Sequence, residues 1–362
     1  MQDVAEAVGI TAAALYRHFG NKYELFRDTA MHLVGRLQEA VDSVPAAHTD
    51  GTDAAEGEIV ALIDVLVDTT IELRATGSIY RWESRYLTPE DRRDLRDAFS
   101  RVRSRVAAPL REVRPDLDDA TGDLAVLAAL SSIASVTTHR TTMPVPQLRV
   151  LLREVALRVL RSHVGPIPPD AADSVPEHAQ PRRRKDQLTQ AGIALFAARG
   201  YHDVTIDDIA SAVGLTPSGV YRHFSGKSDI LRTACERAAT ALDAAADEAL
   251  GRSNPHEALS ILGQAYVHFA VTDHDLMEVY TADVGALDDD DQRRLLRLQR
   301  GHVDDWVEVV GRVRTGLQPR ELRFLVHAGF NVVADLSVAL RHSTPAEAQA
   351  FIRPVLNTVL EG

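Results

Sequence analysis

The sequence predicts an all-α fold in which one helical unit is written twice. Three observations carry this reading. Ala, Leu, Val and Arg abound, while aromatic residues make up only 5% of the 362, a composition that favours helix. Apolar residues recur at helical spacing, as at Ile59, Leu62, Ile63 and Leu66. And one segment recurs: DVAEAVGITAAALYRHFGNKYELF (3–26) and DIASAVGLTPSGVYRHFSGKSDIL (208–231) share 11 of 24 positions without a gap. No pair of alternating apolar runs around a tight turn reads as a strand hairpin.

The repeat extends past that segment. YLTPEDRRDL (86–95) matches ALDDDDQRRL (286–295), with Asp91/Asp291, Arg93/Arg293 and Leu95/Leu295 identical. At the end of each half, Leu148, Leu151, Leu152, Val155 and Val159 fall opposite Ala348, Phe351, Ile352, Val355 and Val359. A longer loop in the first half (46–58, against 252–258) accounts for the change of offset from 205 to 200. Between the halves, HVGPIPPDAADSVPEHAQP (163–181) carries five prolines, which fix φ and remove donors, so it reads as an extended linker. The expected division is 1–30, 31–162, linker 163–181, 182–231 and 232–362.

Thr88-Pro89-Glu90-Asp91 reads as a helix start: a capping hydroxyl, proline in the first turn, and acids at the positive end of the dipole. Asp288–Asp291 reads the same way, rather than as a metal site. In the second repeat, Asp186–Arg199 is an amphipathic helix closed by Gly200. Thr205 and Asp208 form a capping box for a short helix to Ala212. Val213-Gly214-Leu215 is a tight turn, where glycine permits positive φ. Thr216 and Pro217 then open a third helix running to about His223, Phe224 returns to the core, and Lys227 opens a long fourth helix.

Two short helices around a glycine turn let the second protrude into a major groove about 12 Å wide. Thr216 and Ser218 present small hydroxyls there, and Gly219 allows close approach. Tyr221, His223 and Lys227 are placed to hold phosphates. The net charge of −12 opposes a nucleic-acid partner, but residues 182–231 carry seven Lys/Arg against five Asp/Glu, and a local positive face is what binding needs. Arg182–Lys185 form a basic arm ahead of this segment.

The pattern T-x-x-D-I-A-x-x-x-G-x-[ST]-x-x-x-x-Y-x-H-F-x-x-K resembles the signature of the tetracycline-repressor (TetR) family. The resemblance implies two TetR-like units in tandem, each a helix-turn-helix domain followed by a helical ligand and dimerisation domain. It implies a transcriptional regulator, a repressor released from double-stranded operator DNA by a small hydrophobic effector of unknown identity. Carried over position by position, the DNA contacts are Thr205, Thr216, Ser218, Gly219, Tyr221, His223 and Lys227, and in the first copy Thr11, Tyr16, His18 and Lys22. Ala13 and Ala14 replace Ser218 and Gly219 in the first copy. Met1 aligns with Ile206, so the first copy lacks its first helix here; an upstream start or degeneration would each explain this. A binding or protein-interaction module with a degenerate first half is the alternative.

The resemblance puts an effector pocket among the later helices, with Trp82, Arg85, Tyr86 and His139 as candidates in the first half. Tyr280, Trp306, His327 and Asn331, with His268, are candidates in the second. Taken singly, each reads first as a core aromatic or a satisfied polar group; as a set they are the candidates for the pocket lining. No metal-ligand spacing, phosphate-binding glycine loop or nucleophile elbow is present, so neither a cofactor, a metal nor an enzyme is expected. No apolar run approaches the ~18–20 residues of a membrane span, and no signal peptide is read at the start. The single cysteine, Cys235, suits a reducing compartment, so a cytoplasmic location is expected. The last two helices of each half (121–138 with 147–162, and 319–341 with 346–360) are expected to pack as one four-helix bundle in an intramolecular pseudo-dimer; a homodimer presenting four heads is the other arrangement.

Overall fold

A computed structural model describes residues 1–46, 51–75, 87–162, 165, 182–282 and 287–362. Among the described residues there is no strand. The first half contains α1 (Gln2–Ala7), α2 (Ala12–His18), α3 (Lys22–Asp42), α4 (Thr52–Glu72), α5 (Pro89–Val113), α6 (Asp119–Ala134) and α7 (Val145–Arg161), with a 3-10 turn at Ser135–Thr137. The second half contains α8 (Arg184–Arg199), α9 (Ile206–Ala212), α10 (Pro217–Val220), α11 (Lys227–Leu250), α12 (Pro255–Thr272), α13 (His274–Ala282), α14 (Asp289–Val313), α15 (Pro319–Ala339) and α16 (Pro345–Glu361). The linker expected at 163–181 lies outside the described residues apart from Gly165.

The helix starts are set by local chemistry. Thr88 caps α5, its hydroxyl accepting from Asp91 N at 3.2 Å, with Pro89 in the first turn. Asp288 caps α14 by accepting from Asp290 N and Asp291 N at 3.1 and 2.9 Å. A capped helix start therefore explains the four-aspartate run. Thr344 and Glu347 close a capping box at α16. The long helices α3 and α11 run straight through the boundaries expected near residues 30 and 231, so each head is joined to its body by a continuous rod.

One apolar core spans both halves. It takes in Leu62, Val106, Val126, Ile133, Leu152 and Val155 from the first half and Leu262, Trp306, Val332, Leu336, Ile352 and Val355 from the second. Within it α6 packs on α7, α15 on α16, α6 on α15, and α7 on α16. The four helices form one bundle, the arrangement expected from the sequence. At its centre Asn331 Nδ2 donates to Ser131 O at 2.6 Å, and Ser131 Oγ donates to Asp335.

Two of these helices, Asp119–Thr137 and Pro319–Ala339, are long and apolar enough to cross a membrane by length and composition, with mean hydropathies of 1.4 and 1.3. The sequence expectation that no stretch comes close is corrected on this point. The physical reason is visible in the packing: each helix buries one side in its own half and another against the opposite half.

The seam also stacks two histidines. The His139 and His327 rings lie 4.0 Å apart, tilted by 12°, with Phe324 edge-on to His139 at 4.7 Å. Arg74 ties the segment down by donating to His139 O and Thr141 O. Burial, then the His327 and arginine charges, pushes His139 down to about 2. Burial, then Arg323, lowers His327 to about 4, and burial alone lowers His302 to about 4.

The unfolded chain protonates these rings near pH 6.5, whereas the folded chain keeps them neutral. Their contribution is therefore complete above about pH 6.5 and is lost as pH falls toward 4. Each unit of depression is worth about 1.4 kcal/mol across that window. The urea midpoint should fall between pH 6.5 and 4, and His327→Phe should flatten the slope; a midpoint constant over that range would contradict the buried, neutral stack.

Candidate nucleic-acid interface

The second head is built around a core of its own. Leu188, Ile193 and Phe196 of α8 meet Ile209 of α9, Val220 of α10, Phe224, and Ile230, Leu231 and Cys235 of α11. Phe224 returns to this core as expected and is 2% exposed. Gly214 turns between α9 and α10 at φ +67°, and Gly200 ends α8 at φ +83°. Both are conformations that L side chains rarely adopt.

Thr205 closes the expected capping box. Its hydroxyl donates to Asp208 Oδ2 at 2.6 Å and accepts from Asp208 N at 3.2 Å, while Thr205 N donates to the same carboxylate at 2.8 Å. These bonds, the Thr205 hydroxyl first, hold the Asp208 carboxyl down at about 2. Thr216 precedes Pro217 at the start of α10, but its hydroxyl bonds to Ser218 Oγ at 2.9 Å rather than to the backbone. The helix ends at Val220, and 221–223 form a turn, shorter than the run to His223 expected from the sequence.

Thr216, Ser218, Tyr221 and His223 are thus gathered on one short exposed turn. Tyr221 is 58% exposed although it is large and partly apolar. Gly219 lies on the inner side, where an added methyl would sit 3.4 Å from Leu215. The space therefore accepts alanine, which the first copy has at Ala14.

Lys227 differs from its expected role. Its ammonium donates to Tyr201 O, His202 O and Val204 O at 2.8, 3.1 and 2.9 Å, and lies 4.5 Å from the Tyr201 ring centre. All three donors are spent on holding the segment after α8. Of the basic arm, Lys185 lies 5.2 Å from the Phe224 ring centre, and Arg182–Lys185 are all exposed. Neither lysine tie has a local sequence signal, since the partners are 20 or more residues away.

The first head repeats the motif with less around it. Thr11 caps α2 by accepting from Ala14 N at 3.1 Å, and Gly9 turns at φ +72°. Tyr16, His18 and Lys22 are exposed, Tyr16 by 53%. Val4 is 38% exposed where its counterpart Ile209 is 0% exposed. In the second head α8 packs on α9 and covers that face.

Residues 1–29 and 188–234 match the family model described as bacterial regulatory proteins, tetR family. These two segments are similar to the TetR family. Among the curated relatives, the HTH-type transcriptional regulator TcmR of Streptomyces glaucescens is 35% identical over 79 residues, 22% of this chain and 35% of that protein. The transcriptional repressor KstR2 of Mycolicibacterium smegmatis is 36% identical over 53 residues, 15% of this chain and 26% of that one. The chain spans well under half of the length of these curated relatives. A TetR-family regulator structure from Bordetella parapertussis 12822 superposes with a TM-score of 0.47 at 19% identity, covering 50% of this chain and 96% of that one.

The residues expected around an effector pocket are not gathered in one place. Trp82, Arg85 and Tyr86 lie outside the described residues. Trp306 is 0% exposed, donating to His302 Nε2 at 3.1 Å in an aromatic stack with Tyr266 and Phe330. Tyr280 packs against the core of the second TetR head, where burial raises its phenol pKa. His139, His327 and Asn331 belong to the seam between halves. His268 sits apart, 3.4 Å from Gln349 Nε2. Among the described residues no group of three or more His, Cys, Asp or Glu is arranged to hold a metal ion.

The different settings of the two motif lysines predict different costs. Lys227→Met should lower stability by about 1.5–3 kcal/mol, because three carbonyls lose a charged donor. Lys22→Met, at an exposed position, should stay within about 0.5 kcal/mol. Chemical denaturation of both variants checks this; equal losses would contradict the assigned tie.

Proposed function

We propose that the protein is a DNA-binding transcriptional regulator, a repressor of the TetR type, working in the cytoplasm as an intramolecular pseudo-dimer. The observation that carries this is the exposed turn of the second head. Thr216, Ser218, Tyr221 and His223 stand out on the surface of a well-packed helical head. Hydroxyls at a protruding helix start suit base edges, and the phenol and imidazole just beyond suit phosphates. The exposed Arg182–Lys185 arm adds the positive charge that backbone attraction needs.

The second head reads the operator most closely. The first contributes Thr11, Tyr16, His18 and Lys22, with alanines where the second has Ser218 and Gly219. One chain then brings two unlike heads to DNA, so its operator has unlike half-sites about 34–36 Å apart, or a multiple of that. A small hydrophobic effector acts by altering that spacing through α3 and α11, the rods joining heads to bodies.

A second reading, a binding or interaction module whose first half no longer holds DNA, is favoured by Ala13 and Ala14, which stand where the second copy has Ser218 and Gly219. One experiment separates the two. An operator is selected from random double-stranded DNA with the wild-type protein, and variants are compared by gel shift at fixed salt. Ser218→Ala should weaken binding roughly tenfold and relax sequence preference, the loss of a base-edge bond being worth about 1–3 kcal/mol. Tyr221→Phe should weaken all sequences alike. An equal effect of Tyr16→Phe supports two working heads, and no effect supports the second reading. If the Ser218 and Tyr221 variants bind like wild type, the DNA-binding reading fails.

A further inference from the structure

The bundle is not symmetric at its ends. Arg114 closes α5 and Arg314 closes α14, at equivalent places in the two halves. Arg114 is fully occupied: Nε and Nη2 each donate to Asp116 at 2.8 Å, and Nη1 donates to Leu160 O and Ser162 O at 3.2 and 2.9 Å. In the second half Gly316 stands where Asp116 stands in the first. Arg314 has lost that carboxylate, and its Nη1 is buried without a hydrogen-bond partner. The backbone of Gly362 lies against the same guanidinium.

A second arginine joins it from the other half. Arg158 of α7 also keeps a buried Nη1 without a partner. Burial, then the Arg314 charge, lowers its pKa, which places the two cations within reach of each other. The position equivalent to Arg158 in the second half is Thr358, so the paired charge exists at one end of the seam only. Among the described residues neither arginine has an ion pair. Of the two acids in the groove, Glu321 is engaged by Gln318 N at 2.7 Å, and the charge of the exposed Glu154 partly offsets the lowering of the Arg158 pKa.

Both arginines line a groove of about 380 Å³ between α7 and the turn from α14 to α15. Glu154 and Glu321 line it as well, and its apolar walls are Val150 and Leu151 on one side and Leu317 and Leu325 on the other. Val150 is 53% exposed along it. A volume of this size suits a small ligand. Two guanidinium groups, each with a buried Nη1 that lacks a hydrogen-bond partner, suit a carboxylate on an apolar tail, since the fork geometry matches carboxylate and the tail covers the walls.

We propose that this groove binds an amphipathic monocarboxylate, an acid with an alkyl chain, with its head held by Arg158 and Arg314 and its chain lying along Val150 and Leu325. The site lies between the halves and is formed by both. Its occupancy is read directly, so it neither requires nor tests DNA binding.

Isothermal titration of the full chain with decanoate, below the concentration at which it forms micelles, tests this. Decanol supplies the same chain without the charge, and acetate supplies the head without the chain. Wild type should bind one decanoate per chain, with decanol and acetate at least about tenfold weaker. Arg158→Leu and Arg314→Leu should each weaken decanoate about tenfold or more, while Arg101→Leu, at an exposed position elsewhere, should not.

Gly316→Asp is the decisive variant. It leaves both arginines in place and restores the acid that occupies Arg114 in the first half. A side chain at Gly316 meets nothing within 4 Å. It should therefore fold normally, by circular dichroism, and lose decanoate binding. Decanoate affinity unchanged in Gly316→Asp and both arginine variants would overturn the proposal, as would decanol binding as tightly as decanoate.

Discussion

The burial of α6 against α15 is the constraint on which the rest depends. Both helices are long and apolar enough to cross a membrane by length and composition, and each has two partners, one in its own half and one across the seam. Separated, each half would leave a long apolar face in water, at roughly 25 cal/mol for each Å² exposed. Together with α7 and α16 they make one core from both halves. The heads are joined differently: the core of the second takes in Val279 of α13 and Leu287 and Leu295 at and within α14, while on the first-half side Val34 of α3 packs with Leu87 and with Leu95 and Ala98 of α5.

Polar groups in the seam give it direction as well as affinity. Asn331 and Asp335 of α15 face Ser131 of α6, so long acceptors and donors on one helix meet short ones on the other. The stacked histidines are likewise supplied one from each half. A chain carrying two unlike halves can develop such complementary differences, which identical subunits around a two-fold axis cannot. The unequal arginines Arg114 and Arg314 belong to the same asymmetry.

Much of the fold was legible because its signals are local. Thr88, Asp288 and Thr205 mark helix starts through bonds to residues two or three positions on, and Gly214 marks the turn through its own φ. The four-helix bundle was legible because equivalent helices end each half. The site was legible only in part. The exposed turn at Thr216–His223 follows from the motif, but the tie from Lys227 to the carbonyls of 201, 202 and 204 depends on tertiary folding. So does the place of Asn331 and His327 in the seam: an apolar helical stripe does not say which of two partners each residue faces. Trp306 was ambiguous for the same reason, and its neighbours Tyr266 and Phe330 decide that it is core.

A single chain that closes its own bundle has a definite mass. Multi-angle light scattering of the purified full-length chain across a tenfold dilution measures it directly. A particle of 39.6 kDa at every concentration is the result that an intramolecular pairing of the two halves predicts. A tight dimer of twice that mass, with no smaller species on dilution, would contradict it.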